Sequence, residues 1–127
     1  MKYIQSMEWT KKTRNIALIL ELNLRTENIF CVESIGSKSR RTIARIHTFG
    51  KAIQIGAELK PVYVIELITE IFGKQPEQEK IKTIIHELLH VPRAFGGGFK
   101  GHRKYANKRN VDALYEKLIE SRQTFLL

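Results

Sequence analysis

The sequence contains one cysteine and no long apolar run. Cys31 is the single cysteine in 127 residues, so an internal disulfide and a zinc cluster of several thiolates are both excluded. The longest apolar run is residues 16–20, far below the ~18 residues of a membrane span. The first residues also lack the apolar core of a signal peptide. We therefore expect a soluble protein in the reducing cytoplasm, with no membrane partner.

Prolines are few, and nothing in the sequence divides it into separate units. Three prolines occur, and no internal repeat, low-complexity tract or linker is visible. A chain of this length can bury a core without disulfide or metal staples, and one domain is the default for it. We therefore predict a single domain over residues 1–127.

Acidic residues are fewer than basic ones, which gives a net charge of +9. Such an excess is typical of a solvated basic surface, and it also suits nucleic acid or acidic partners. No helix-turn-helix, RNP motif or zinc-finger spacing indicates specific recognition, so we expect weak, non-specific nucleic-acid contact at most. The basic residues concentrate in two segments: Lys38, Arg40, Arg41, Arg45 and Lys51 in the first, and Lys100, Arg103, Lys104, Lys108 and Arg109 in the second.

Hydrophobic spacing predicts three helices. Apolar residues recur at helical intervals in residues 9–24 and again from Val111 onward. Asn110 is a candidate cap for the last helix, and a start nearer His102 is the alternative. The central helix is predicted over residues 76–91, with Pro76 in its first turn and Pro92 ending it.

Strands are predicted between the first and the central helix. Residues 29–35, 42–49 and 62–69 have strand-forming composition, whereas residues 52–59 fit either a strand or a short helix. Glu66 falls within the last strand, where it is either paired or exposed at an edge. Strands grouped before a helical half favour an α+β domain with a three- or four-stranded sheet.

The central helix contains His86-Glu87-Leu88-Leu89-His90, an H-E-x-x-H motif. Residues four apart lie on one face of a helix, so the two imidazoles can bind one zinc ion. Glu87 lies beside them and can reach a zinc-bound water without binding the metal. The opposite side is apolar and suits a core; it carries Ile81, Ile84, Ile85, Leu88 and Val91.

These residues are sufficient for peptide hydrolysis. Zinc polarises the substrate carbonyl and lowers the pKa of its bound water to about 7, while Glu87 takes the water proton and passes it to the leaving amine. We therefore predict a zinc metallopeptidase acting on peptides or proteins, with His86 and His90 as metal ligands and Glu87 as catalytic base. Tyr63 and Tyr105 are candidate donors to the oxyanion, although packing is the commoner role of a tyrosine.

A catalytic zinc usually has three protein ligands. The downstream candidates are His102, Asp112 and Glu116. His102 has the better local case, because the preceding glycines allow the backbone to turn back towards the metal. The two acids have ordinary roles beside basic residues on a helix surface. His47, in a basic strand, is expected to be structural rather than a ligand.

The alternative hypothesis is a non-catalytic, basic, nucleic-acid-associated module with a structural zinc site. Glu87 is the residue that separates the two hypotheses. A purely structural zinc site has no use for a carboxylate beside its ligands, so the presence of Glu87 favours catalysis.

The chain resembles a family of small archaeal and phage-type metallopeptidases over residues 29–120. The stretches that carry the resemblance are residues 34–39, 44–46, 63–66, 86–92, 95–98 and 101–102. Gly101-His102 is also similar to the motif that supplies the third histidine in SprT-like zinc proteases. The resemblance implies a minimal zincin fold, with a glycine-rich loop after the central helix and a cleft between that helix and an edge strand.

Metzincins are excluded by the residues that follow the motif. They need glycine and histidine where Arg93 and Gly96 stand, together with a downstream methionine. The only methionines here are Met1 and Met7.

Overall fold

Five α-helices and one four-stranded sheet form the part of the chain that a computed structural model describes, residues 1–92 and 105–126, with side chains as far as Arg122. This is the predicted α+β class. None of the described helices is long and apolar enough to cross a membrane. In chain order the elements are β1 (Lys2–Gln5), α1 (Met7–Ile19), β2 (Ile29–Ile35), β3 (Ala44–His47), α2 (Lys51–Gly56), β4 (Tyr63–Ile68), α3 (Thr69–Phe72), α4 (Glu77–Leu88) and α5 (Lys108–Leu126).

The sheet is mixed, and its strand order is β1-β2-β4-β3. β2 and β4 form a parallel pair at the centre, with β1 and β3 added antiparallel on either side. A parallel pair needs a crossover connection rather than a hairpin. The connection between β2 and β4 contains β3 and α2. Strand β3 pairs with the far side of β4 and so forms an edge of the sheet.

One face of the sheet is buried beneath the helices. Alternate residues of β2 and β4 point to this face, among them Ile29, Cys31, Tyr63 and Ile65, and all are at most 2% exposed. The same core includes apolar residues of α1, α4 and α5. Each large apolar side chain buried there contributes about 1.5–3 kcal/mol relative to exposure, so the sheet fixes the position of α4.

The opposite face contains a buried acid, Glu66, in the middle of β4. Its carboxylate Oε1 lies 2.7 Å from Nε2 of His47 and 3.7 Å from Nε of Arg45, both on β3. Burial raises the pKa of Glu66, but the Ser34 hydroxyl, His47 and Arg45 outweigh burial and hold the pKa below its usual value. Glu66 is therefore a paired residue of a central strand, and His47 has the structural role expected for it.

The first helix is shorter than predicted because the chain adopts a left-handed conformation after Leu20. Glu21 has a φ of 54°, and the N–H groups of Leu22 and Glu21 donate to the C=O groups of Ala17 and Leu18. This is the Schellman arrangement that ends a helix, formed here without glycine. Sequence patterning could not detect it, since glutamate is an unusual residue at that position.

Other boundaries also differ from the predicted ones. The short strand β1 was missed, and its residues are exposed, so they carry no alternating pattern. In the segment 52–59, which fitted either a strand or a short helix, residues 52–56 belong to helix α2. Asn107, rather than Asn110, caps α5, since its Oδ1 accepts from the Asn110 N–H at 2.9 Å. The glycine-rich loop predicted at residues 96–98 lies outside the described residues.

The Glu66 pairing predicts acid-sensitive stability. Because its folded pKa is depressed, its contribution is present above the usual value of 4.5 and is lost as pH falls below it. Glu66→Gln should lower the free energy of unfolding by about 1–3 kcal/mol at pH 7. Urea denaturation should show this difference shrinking below pH 4.5, whereas the half-buried Glu33→Gln serves as control. A deficit that does not change with pH would contradict the prediction.

Candidate active site

Helix α4 has one apolar side and one polar side. Ile81, Ile84, Ile85 and Leu88 are at most 3% exposed, as the sequence predicted, and their burial turns the opposite side outward. Pro76 is the N-cap rather than a first-turn residue. The first turn carries Glu77 and Glu79, which suit the positive end of the helix dipole.

The helix ends earlier than predicted, within the H-E-x-x-H motif itself. Its last residue is Leu88, and Leu89 is the C-cap. The N–H of His90 donates to the C=O of Glu87 at 3.1 Å, three residues back rather than four. His90 thus lies in a tight final turn of the 3₁₀ type. The prediction of a continuous helix to residue 91 was wrong, because helix ends commonly tighten in their last turn.

The tightened turn still holds the two histidine rings together. The ring centres of His86 and His90 are 5.1 Å apart, and their planes are inclined by 72°. Two imidazoles bound to one tetrahedral zinc at ~2.0–2.1 Å would have ring centres about 5 Å apart. The spacing of the pair therefore fits a shared metal ion.

Glu87 lies on the wall of the site, almost entirely buried. The residue is 7% exposed, and burial raises the pKa of its carboxyl from 4.5 to about 7. Among residues 1–92 and 105–126, no lysine or arginine forms an ion pair with it. A divalent cation beside the carboxyl would favour its charged form.

A cleft of about 520 Å³ lies in front of His86 and Glu87. Its walls come from the polar side of α4, from the start of edge strand β3 and from the first turns of α5. The expected cleft between the central helix and an edge strand is therefore present. The lining residues are Arg41, Thr42, Ile43, Ala44, Glu79, Lys82, Thr83, His86, Glu87, Lys108, Val111 and Asp112.

Asp112 lies in this cleft but is held by two lysines. Its Oδ1 is 3.2 Å from Lys82 on α4, and its Oδ2 is 2.9 Å from Lys108 on α5. Lys108 and then Lys82 lower the pKa of Asp112, and Asp112 raises that of Lys82. With both oxygens occupied, Asp112 ties α5 to α4 rather than offering a free metal ligand. Glu116, the other acidic candidate, is exposed and does not line the cleft.

The remaining candidate site residues from the sequence are Tyr63, Tyr105 and His102. Tyr63 is fully buried in the core and does not line the cleft, in agreement with the packing role that the sequence favoured for it. Tyr105 is exposed and does not line the cleft. His102, the predicted third ligand, lies outside the described residues. Within the described part of the chain, no group of three His, Cys, Asp or Glu side chains is arranged to hold a metal.

Sequence reasoning did not connect Arg41, Lys82 and Lys108 with the site. Lys82 precedes His86 by one helical turn, and this spacing could have placed it on the same face. Arg41 had no such signal, because its position depends on how the sheet packs against α4. Both basic segments of the sequence supply residues to the cleft.

These observations define a class: a small α+β domain in which His86 and Glu87 of an H-E-x-x-H motif, typical of metal-dependent peptidases, line a cleft. The family described as Putative phage metallopeptidase matches residues 3–121. The chain belongs to this phage metallopeptidase family, and the resemblance inferred from the sequence is confirmed. No curated protein and no solved structure matches the chain. The likeness to SprT-like proteases stays a prediction.

The site predicts a particular ranking of metal-binding variants. On the predicted ligand assignment, His86→Ala, His90→Ala and His102→Ala should each weaken zinc binding by at least about 100-fold, because loss of a hydrogen-bond partner of a ligand alone costs 10–100-fold. Asp112→Ala and Glu116→Ala should change it little. Competition with a chromophoric chelator measures these affinities. A greater loss in Asp112→Ala than in His102→Ala would contradict the ligand assignment.

Proposed function

We propose that the protein is a zinc-dependent metallopeptidase in which Glu87 acts as general base. The observation that carries this proposal is the 5.1 Å separation of the His86 and His90 rings beside the buried Glu87 at a peptide-sized cleft. Family membership supports peptide hydrolysis and a metal cofactor. We further propose that residues 1–127 act as one domain.

His86 and His90 would hold the metal, with His102 as the proposed third ligand. A bound zinc ion supplies a Lewis acid that polarises the scissile carbonyl and makes water acidic enough to attack at neutral pH. Glu87 accepts the proton that the attacking water loses and delivers it to the nitrogen of the leaving amine. Burial of Glu87 holds its carboxyl in place and keeps bulk water from competing for that proton.

Edge strand β3 offers a backbone surface for the substrate. The Ile68 N–H donates to the Ile43 C=O, and the register pairs Arg45 with Glu66 and His47 with Val64. In an antiparallel pair, the backbone groups of every second residue hydrogen-bond to the partner strand. The N–H and C=O groups of residues 43, 45 and 47 therefore face β4, whereas those of Ala44 and Ile46 point away from the sheet. Ala44 lines the cleft, so an extended peptide can pair with it as an added strand.

The structural-zinc alternative is the weaker proposal. A basic module of that kind needs no open cleft and no buried carboxylate beside its ligands. Glu87 and the cleft lie together at the metal-binding histidines, and an enzyme has a use for both.

The proposed base predicts a specific separation of binding from catalysis. Glu87→Gln should retain zinc and lose peptide hydrolysis by at least about 100-fold, since proton transfer of this kind contributes 10²–10⁴-fold. Glu79→Gln is a matched control, because Glu79 lies on the same helix and lines the same cleft. Hydrolysis of a fluorogenic peptide library and zinc content are measured for each variant.

Two results would count against this assignment. A Glu87→Gln enzyme that cleaves as fast as the parent would show that another group is the base. Failure of the zinc-loaded parent to cleave any peptide would favour the structural-zinc alternative.

The backbone of β3 gives a second catalytic prediction. Ala44→Pro removes the outward N–H at an edge position where proline is tolerated, and KM should rise about 2- to 10-fold, as expected for one hydrogen bond. Ala44→Gly keeps the N–H and should leave KM near that of the parent. Thermal melting checks that both variants fold. Equal effects in the two variants would show that the side chain, and not the N–H, matters.

A further inference from the structure

The two basic segments of the sequence meet across the cleft. Arg41 belongs to the first segment and lies on the β3 side, while Lys108 belongs to the second and lies on the α5 side. We propose that the cleft selects an acidic polypeptide segment, whose Asp and Glu side chains lie between Arg41 and the Lys82–Lys108 pair. This inference rests on the proposed peptidase function and specifies its substrate class.

Hydrogen bonds restrain the loop that contains Arg41. Glu70 accepts the N–H groups of Gly36 and Ser37 at 3.2 and 3.3 Å. Further along, the Ser39 hydroxyl accepts the Thr42 N–H at 3.1 Å. These bonds restrain the backbone on both sides of Arg41, so less backbone entropy is lost when a ligand binds there.

The Arg41 side chain has no anionic partner within the structure as far as it is described. No carboxylate among residues 1–92 and 105–126 forms an ion pair with it, and the side chain is exposed. Its neighbours in sequence, Lys38 and Arg40, are exposed as well. A substrate carboxylate at this rim would meet cations and no competing internal acid.

The opposite wall carries two lysines, and acids lie close to both of them. Lys82 and Lys108 share one carboxylate, that of Asp112. Glu79 is the other acid on this wall apart from Glu87, so Asp112 and Glu79 balance the two lysines, and Arg41 on the β3 side supplies the positive charge that remains. Arg109, next to Lys108, is exposed and extends the positive rim.

An acidic peptide fits this surface better than a nucleic acid does. Single-stranded nucleic acid is bound by cations combined with aromatic side chains on which bases stack. Among the described residues, those that line the cleft include no phenylalanine, tyrosine or tryptophan. The cations instead face the space in front of Glu87, where side chains flanking a scissile bond would lie.

Peptide binding to the zinc-loaded Glu87→Gln protein tests the inference without requiring turnover. The probes are three fluorescein-labelled twelve-residue peptides, identical except that four positions flanking a central Ala-Leu pair hold Asp, Asn or Lys. Fluorescence anisotropy should give about 10-fold tighter binding for the Asp peptide than for the Asn peptide, since two exposed ion pairs contribute about 2- to 5-fold each. The preference should weaken as salt is raised.

Charge reversal at Arg41 identifies the residue responsible. Arg41→Glu in the same background should abolish the preference for the Asp peptide, and the Lys peptide should then bind more tightly than before. Lys60→Glu is the matched control, because Lys60 is exposed, precedes the opposite end of β4 and does not line the cleft. It makes the same change in net charge and should keep the preference.

Each remaining outcome has a defined meaning. Equal binding of the three peptides would overturn the acidic-substrate inference and leave the peptidase proposal intact. Absence of binding by any peptide, together with no cleavage by the parent, would count against both. A twelve-nucleotide single strand that displaces the Asp peptide at lower concentration than unlabelled Asp peptide does would overturn the inference in favour of a nucleic-acid ligand.

Discussion

The packing of helix α4 against the sheet is the interaction on which the site depends. Four residues of one helix side, Ile81, Ile84, Ile85 and Leu88, are almost completely buried. This burial fixes the rotation of the helix, and rotation decides which residues face the cleft. A rotation of ~100° in the sense that buries Glu87 would bring an isoleucine into the cleft in its place. The hydrophobic core therefore sets the geometry of the polar site.

The sheet contributes a second constraint, the placement of β3 at its edge. The pairing of Glu66 with His47 and Arg45 ties β3 to β4 through side chains as well as backbone. Loss of these partners would leave the buried Glu66 carboxylate uncompensated, which favours this register of β3. That register determines which backbone groups of β3 point into the cleft. A structural ion pair on one face of the sheet thus helps to set which backbone groups are presented along its edge.

The third wall of the cleft is held by electrostatic contacts. Asp112 joins Lys82 of α4 to Lys108 of α5, and the ring of Tyr115 lies 5.2 Å from the Lys82 ammonium. These groups are partly exposed, and the strength of such pairs depends on salt. The core contacts of Val111 and Leu118 anchor α5 more firmly. The charges consequently shape the recognition surface more than they stabilise the fold.

The sequence by itself determined the H-E-x-x-H spacing at residues 86–90, the apolar side of α4 and the α+β class, because local spacing encodes each of them. It also indicated strands β2 and β4 and the central parts of helices α1 and α5. It did not reveal β1, whose exposed residues carry no alternating pattern, or the early end of α1, where Glu21 adopts a left-handed conformation. It also did not reveal the tightened turn at His90, because helical spacing of side chains does not report how the last turn closes. Only the tertiary structure decided that Arg41 and Lys108, 67 positions apart in the numbering, line one cleft, since residues distant in sequence meet only when the sheet packs on the helices.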